Sequence, residues 1–145
     1  MTNIIPIASD HAGYELKQKV IDHLQKRGLQ AKDFGTHSDQ SVDYPDYAHP
    51  VAQSVDGGEF PRAILICGSG NGMQMTANKY PNVRCALCWG RELAALARQH
   101  NNANILSLPA RFITVDEALA CVDAFLDTPF EGGRHQRRVE KIKKS

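Results

Sequence analysis

The chain has 145 residues and a mass of 16.0 kDa, which is a typical length for one domain. Hydrophobic residues make up 42% and charged residues 23%, a composition of folded soluble proteins that excludes a disordered chain. The 17 basic and 16 acidic side chains leave a net charge of +1, which excludes a basic field over the whole molecule for nucleic acid or a membrane surface.

The chain alternates short apolar runs with amphipathic segments. In chain order, the pattern predicts a strand over 4–9, a helix within 13–27, a strand over 30–34, a helix over 46–55, a strand over 63–67, a helix from 72 to about 79, a strand over 83–88, a helix over 91–99, a strand over 105–108, a helix over 115–126 and a basic helical segment over about 133–145. This alternation predicts an α/β fold. We expect a single Rossmann-like three-layer domain over 1–145, with a five-stranded parallel sheet and helices on both faces.

The expected topology concentrates polar residues at one edge of the sheet. Ligands of such sheets bind beyond the carboxyl ends of the strands, where the strand order reverses. Asp10 and His11 follow the first strand, Cys67 ends the third and Arg111 follows the fifth. We therefore expect the site at this edge.

A glycine loop follows Cys67. Gly68, Gly70 and Gly72 allow a sharp turn whose N–H groups converge at a helix start, which favours an anion. A Walker loop would end in Gly-Lys-Ser/Thr, a dinucleotide loop has another glycine spacing, and a cysteine phosphatase loop needs an arginine where Met73 stands. An anion cradle beside a thiol remains, with a tight packing turn as the alternative.

Several other residues allow two interpretations each. Cys67 beside a helix start suits a nucleophile or a general base, but a buried cysteine is also an ordinary core residue. Asp10 suits a site or an N-cap, and His100 suits a site or the helix dipole. Arg134 and Arg138 share a helical face and suit a phosphate, although a solvated basic tail would look the same.

The four cysteines and the N-terminus favour the cytoplasm. Cys85, Cys88 and Cys121 lie inside apolar runs, so we expect free thiols, with Cys85 and Cys88 in the core rather than in a redox or zinc motif. The N-terminus has no basic stretch followed by an apolar one, and no apolar run reaches the roughly 18–20 residues of a membrane span. We expect a cytoplasmic protein without metal, cofactor, nucleic acid or membrane.

Six stretches identify a family resemblance. They are 9–13 (SDHAG), 43–45 (DYP), 66–72 (ICGSGNG), 77–79 (ANK), 98–102 (RQHNN) and 133–138 (GRHQRR). In this order, and nearly from end to end, the sequence resembles the family of ribose-5-phosphate isomerase type B, which also contains the galactose-6-phosphate isomerase subunits.

The resemblance implies a metal-free aldose–ketose isomerase of the pentose phosphate pathway, which interconverts ribose 5-phosphate and ribulose 5-phosphate through an enediolate. It implies Cys67 as the base, because some relatives carry a glutamate where Met73 stands and lack this cysteine. It implies ring opening by Asp10 and His100, with Ser69 near the hydroxyl protons. The implied anion hole is formed by the N–H groups of Gly68, Ser69, Gly70, Asn71 and Gly72, and the implied substrate and phosphate contacts are His11, Tyr44, Asn101, Arg111, Arg134 and Arg138.

The resemblance also implies a homodimer, or a tetramer, whose sites are shared. The basic segment over about 133–145 and the region of His100 would then reach the partner subunit's pocket. Two alternatives stay open: an isomerase of a six-carbon sugar phosphate, such as allose or galactose 6-phosphate, and a non-catalytic sugar-phosphate-binding module. A nucleic-acid binder is disfavoured, because the basic segment lacks interleaved aromatic residues.

Overall fold

The computed structural model describes residues 3–143, in which strands alternate with helices. The strands are β1 (Ile4–Ser9), β2 (Gln30–Asp33), β3 (Ala63–Cys67), β4 (Cys85–Leu87) and β5 (Ile105–Pro109). The α-helices are α1 (Tyr14–Lys26), α2 (Tyr44–Asp56), α3 (Asn71–Ala77), α4 (Arg91–Asn101), α5 (Val115–Asp127) and α6 (Arg134–Ile142). Short 3-10 turns, His11–Gly13 and Ala110–Phe112, follow β1 and β5. The last two residues of the predicted basic segment lie outside the described residues.

The strands form one parallel sheet in the order β2-β1-β3-β5-β4. One face is covered by α1, α4 and α5, whose side chains include Val20, Ala97 and Phe125. The other face is covered by α2 and α3, through side chains such as Val51 and Met73. The prediction of a five-stranded Rossmann-like α/β fold with helices on both faces is therefore confirmed.

Burial explains why the central strands have the clearest apolar pattern in the sequence. Every residue of β3 is buried, since helices cover both faces of the sheet there, and a strand of this kind is apolar throughout. The edge strand β2 is mostly exposed and correspondingly polar. The helix α5 has a complete capping box between Thr114 and Glu117, which fixes its start.

Most elements differ from their predicted bounds by one or two residues at an end, and two of these differences have a clear physical cause. Helix α2 begins at Tyr44 rather than at residue 46, because Pro45 fits the first turn of a helix, where its missing N–H is not needed. Strand β4 is shorter than 83–88, because the N–H of Val83 donates to the Tyr80 carbonyl oxygen at 3.1 Å and closes a turn instead of pairing with β5.

Helix α6 packs against α4 through its buried residues His135 and Val139. Among residues 3–143, no helix combines the length and the hydropathy that a membrane crossing requires.

Candidate active site

The loops that follow β1, β3 and β5 meet at the carboxyl edge of the sheet. They enclose an open cavity of about 520 Å³. Its lining contains eight of the predicted site residues, namely Asp10, Tyr44, Cys67, Gly68, Ser69, Asn71, Gly72 and Arg111, together with Met75 and Phe112. The strand order explains this convergence, because β1 and β3 are neighbours at the point where the chain reverses its direction of winding.

Cys67 is the last residue of β3, and its residue surface is 4% exposed. The loop behind it turns through Gly70, whose φ of 79° is left-handed and precedes the first residue of α3. A Cβ atom at Gly70 would overlap the side chain of Leu87 and come within 3.2 Å of the Ser107 hydroxyl oxygen. Glycine is thus required here by both backbone conformation and space.

Gly72 lies under the ring of Tyr44, where a Cβ atom would approach ring carbons to within 2.5 Å. The N–H of Asn71 donates to the Ser69 hydroxyl oxygen at 3.2 Å. The other N–H groups of the first turn of α3 have no partner within the helix, as at any helix start. The loop therefore presents backbone donors beside the Cys67 thiol.

Arg111 reaches the same loop from the turn after β5. Its backbone N–H donates to the Gly68 carbonyl oxygen at 2.9 Å. Its Nη1 atom would lie 3.2 Å from a Cβ atom at Gly68, so the guanidinium runs alongside the loop. His11 lies beside the cavity rather than in its lining, and its Nδ1 accepts the N–H of Val42 at 3.2 Å. These contacts place one permanent positive charge next to the backbone donors.

Asp10 is both an N-cap and a residue of the cavity, the two roles that the sequence allowed. Its carboxylate accepts the N–H of Gly13 at 3.0 Å and caps the 3-10 turn. The same side chain lines the cavity although the residue is only 7% exposed. The hydrogen bond from Gly13 therefore fixes the position of the Asp10 carboxylate.

Lys17 is a residue near this edge that the sequence analysis missed. It is fully buried in α1, and its Nζ donates to the Asp33 carboxylate and to the Thr36 carbonyl oxygen, both at 2.6 Å. The segment held in this way pairs with Ser9 directly before Asp10, since the Ser9 N–H donates to the Gly35 carbonyl oxygen at 2.8 Å. A lysine on the buried face of an amphipathic helix was the available signal.

The remaining predicted site residues lie elsewhere in the chain's own fold. His100 and Asn101 are in the last turn of α4, which leads towards the amino end of β5, and Arg134 and Arg138 are exposed on α6. None of these four lines the cavity that contains Cys67. A single chain therefore brings together only part of the predicted set.

His100 stacks on His135, with ring centroids 4.3 Å apart and planes inclined by 12°. Burial, followed by the charges of His100 and Arg134, lowers the pKa of His135. Glu131 joins this pair, and one ligand atom from each residue lies within 4.8 Å of the others, a spacing that could hold a metal ion. The sequence motifs gave no signal of this cluster, because His100 lies far from Glu131 and His135 in the sequence. The absence of a metal stays a prediction.

The other three cysteines behave as core residues. Burial, with a smaller effect of Cys88, raises the pKa of the Cys85 thiol, and burial together with Cys121 raises the pKa of Cys88 to about 12. All four cysteines are unpaired thiols, as expected. A buried thiol with a raised pKa is unreactive near neutral pH.

The parallel sheet, the thiol at a strand end and the glycine loop beside an arginine fit the class of α/β enzymes that act on anionic substrates. Comparison with known proteins identifies the family. Residues 5–142 match the model of the family described as Ribose/Galactose Isomerase, and the chain belongs to this family. The resemblance stated from the six sequence stretches is confirmed.

Three relatives illustrate the likeness. The probable ribose-5-phosphate isomerase B of Mycoplasma pneumoniae is 49% identical over 143 residues, covering 98% of this chain and 94% of the relative. A crystal structure of a ribose 5-phosphate isomerase from Thermotoga maritima has a TM-score of 0.95 and 53% identity, covering 98% of both chains. The ribose-5-phosphate isomerase B of Mycoplasma genitalium, solved with bound ribulose-5-phosphate, has a TM-score of 0.92 and 48% identity, covering 96% of this chain and 93% of that one.

Proposed function

We propose that this chain interconverts ribose 5-phosphate and ribulose 5-phosphate with Cys67 as the general base. The activity follows from family membership and from relatives of that name over nearly the whole chain, so the expected isomerase is confirmed in its reaction class. The observation that carries the role of Cys67 is its position, because it ends β3 and lines one cavity with Gly68, Ser69, Asn71, Gly72 and Arg111.

The chemistry is a proton transfer between neighbouring carbons. The Cys67 thiolate takes the proton from C2 of the open-chain aldose, and the electrons of the broken C–H bond form the C1–C2 double bond of an enediolate. The former aldehyde oxygen receives the charge. The thiol then returns its proton to C1, and the 2-hydroxyl proton moves to the oxygen on C1, which leaves the carbonyl group at C2.

The enediolate oxygen needs donors that are already in place. The loop over residues 68–72 follows Cys67 directly and leads into the start of α3, so we assign its backbone N–H groups the role of an anion hole. The Ser69 hydroxyl lies in the same cavity and is assigned the exchange of hydroxyl protons. Asp10 and Tyr44 line the same cavity; both are assigned to orient the sugar, and Asp10 is also assigned to assist ring opening.

The substrate phosphate requires further cations. Arg111 and His11 are the nearest candidates in the same chain. Arg134 and Arg138 are exposed on one face of α6, four residues apart, and guanidinium pairs suit phosphate oxygens. We propose that a second copy of the chain supplies them, with its His100 and Asn101, to complete the site of a homodimer.

The course of α4 supports a shared site. The helix starts after β4 at the carboxyl edge and, over its 11 residues, runs about 16 Å towards the opposite edge. His100 at its end is therefore far from the cavity of its own protomer. The same holds for α6, which packs on α4. A site formed within one chain would have to do without all four residues.

The decisive experiment for the base is Cys67→Ala with Cys88→Ala as the matched control, since both thiols are buried and only Cys67 lines the cavity. We expect kcat of Cys67→Ala to fall by about 10²–10⁴-fold while a phosphate-bearing competitive inhibitor still binds. Cys88→Ala should retain its kcat. A Cys67→Ala enzyme with a near wild-type kcat would refute the assignment.

The shared site is tested by complementation. Arg138→Ala should raise KM strongly with a smaller effect on kcat, because the phosphate is held in both the ground and the transition state. Mixing it with Cys67→Ala chains should restore activity in heterodimers that contain one site with both residues intact. Subunit exchange is first verified by mass; exchange without regained activity would mean that each site comes from a single chain.

A panel of five- and six-carbon aldose phosphates, compared by kcat/KM, tests the substrate preference.

We further propose that 1–145 works as one isomerase domain in the cytoplasm. The unpaired thiols support this location, because an oxidising compartment favours disulfides.

A further inference from the structure

Three arginines meet at the amino edge of the sheet, opposite the cavity of Cys67. Arg62 directly precedes β3, Arg84 directly precedes β4, and Arg98 lies in the last turn of α4 before β5. Because β5 lies between β3 and β4, the first two arginines flank the start of β5, where the third also arrives. Together they line a cleft of about 490 Å³.

The three arginines of this cleft are more buried than the other arginines. Arg62, Arg84 and Arg98 are half-buried, whereas every other arginine that the structure describes is exposed. No acidic side chain lines the cleft, and within residues 3–143 none of the three guanidinium groups has a carboxylate within 4.0 Å. Buried charges in proteins are ordinarily paired, so three unpaired cations in one cleft call for a counterion.

The existing hydrogen bonds of these arginines go to neutral groups. Arg62 donates through Nη1 to the Leu126 carbonyl oxygen at 3.0 Å, and Arg84 donates through Nε to the Asn102 carbonyl oxygen at 2.8 Å. Arg98 donates to carbonyl and amide oxygens around the end of α4. In the described part of the chain, Nε and Nη2 of Arg62 and both Nη atoms of Arg84 have no hydrogen-bond acceptor. Forked donors of this kind remain available to a ligand.

The positive charges act on each other. Burial, and then the charges of Arg62 and Arg84, lower the pKa of Arg98. Burial and the charge of Arg27 lower the pKa of Arg62, and Asp127, whose charge acts in the opposite direction, is already bound by Arg27 through two hydrogen bonds. The cleft thus carries excess positive charge that a bound anion would balance.

We propose that the cleft lined by Arg62, Arg84 and Arg98 binds a phosphate group, either inorganic phosphate or a small phosphate ester. A guanidinium group can donate two parallel hydrogen bonds to two oxygens of one phosphate, which an anion with a single acceptor atom does not allow. The cleft is larger than one phosphate, and Phe125 and Leu126 provide an apolar wall for a small organic group. The five residues of β3 separate the two sites by about 16 Å, so this one is independent of the substrate site.

The test is a two-dimensional ¹H–¹⁵N NMR titration of the full chain with inorganic phosphate, with sodium chloride at matched ionic strength as the reference. We expect saturable shifts of the Arg62 and Arg84 side-chain signals and of the Asn104 amide. A parallel titration with glycerol 3-phosphate separates free phosphate from an ester, since the tighter ligand identifies the source. Signals near Arg111 report the catalytic cavity separately.

The variants are Arg62→Gln and Arg84→Gln, each with Lys19→Gln as the control, because Lys19 is exposed on α1 and lies outside the cleft. Arg98 is left intact, since it holds the end of α4. Each cleft variant should bind phosphate about tenfold more weakly, whereas Lys19→Gln should bind like the wild type. If Arg84→Gln does not fold, Arg62→Gln alone suffices, since the Arg62 side chain forms a single hydrogen bond.

Two results would overturn the proposal. One is that the cleft signals follow sodium chloride and phosphate alike, without saturation by phosphate or by the ester. The other is that folded Arg62→Gln binds phosphate as tightly as Lys19→Gln.

Discussion

The substitution Gly70→Ala tests why the loop after β3 requires glycine. The control Gly28→Ala measures only the free-energy cost of the left-handed backbone conformation. Both glycines have a φ of +79°, but a Cβ atom at Gly28 would meet nothing within 4 Å. At Gly70 the Cβ would overlap Leu87 and press on Ser107. The left-handed conformation costs an alanine about 1–2 kcal/mol at either position. Overpacking adds about 1–3 kcal/mol at Gly70 alone.

We therefore expect Gly28→Ala to lower the free energy of unfolding by about 1–2 kcal/mol and Gly70→Ala by about 2–5 kcal/mol. Urea unfolding followed by circular dichroism measures both, at one protomer concentration because association would shift the midpoint. Folded Gly70→Ala should also lose kcat, since the loop donors move, while Gly28→Ala keeps it. Equal costs at the two positions would refute the packing argument.

Three further predictions concern other parts of the molecule. Lys17→Met should cost about 3 kcal/mol of unfolding free energy, because it leaves the Asp33 carboxylate and the Thr36 carbonyl without their donor, whereas Lys19→Met on the exposed face of α1 should cost less than about 0.5 kcal/mol. The lowered pKa of His135 means that the unfolded chain binds a proton more readily, so stability should fall as pH drops from about 7 to about 5, and His135→Gln should flatten that slope; an unchanged slope would contradict this. Activity should survive exhaustive chelation, and a loss that a divalent ion restores would refute this prediction, with His100, Glu131 and His135 as the candidate ligands.

The sequence predicted the elements well where local patterns decide the structure. The buried strands β1 and β3 have the predicted bounds, because short apolar runs between turn residues are typical of buried strands. The meeting of Asp10 and Cys67 also followed from the sequence, since the carboxyl ends of parallel strands share one edge.

Features that depend on strand order could not be predicted in this way. Alternation of strands and helices implies a parallel sheet, but it does not say that β5 lies between β3 and β4. The convergence of Arg62 and Arg84 depends on that order alone. The stack of His100 on His135 likewise depends on how α6 packs against α4, for which neither helix carries a local signal.

Position along the sheet, more than burial, is the reason to propose Cys67 rather than Cys85 as the base. Cys67 and Cys85 are exposed to nearly the same small extent, 4% and 6%. Cys85 begins β4 at the amino edge, where burial raises the pKa of its thiol. The cavity that Cys85 lines does not contain a glycine loop at a helix start. Cys67 ends β3 at the carboxyl edge, directly before the glycine loop over 68–72 and in one cavity lining with Arg111. A thiolate can be stabilised only where donors and cations face it, and the parallel sheet collects them at that edge.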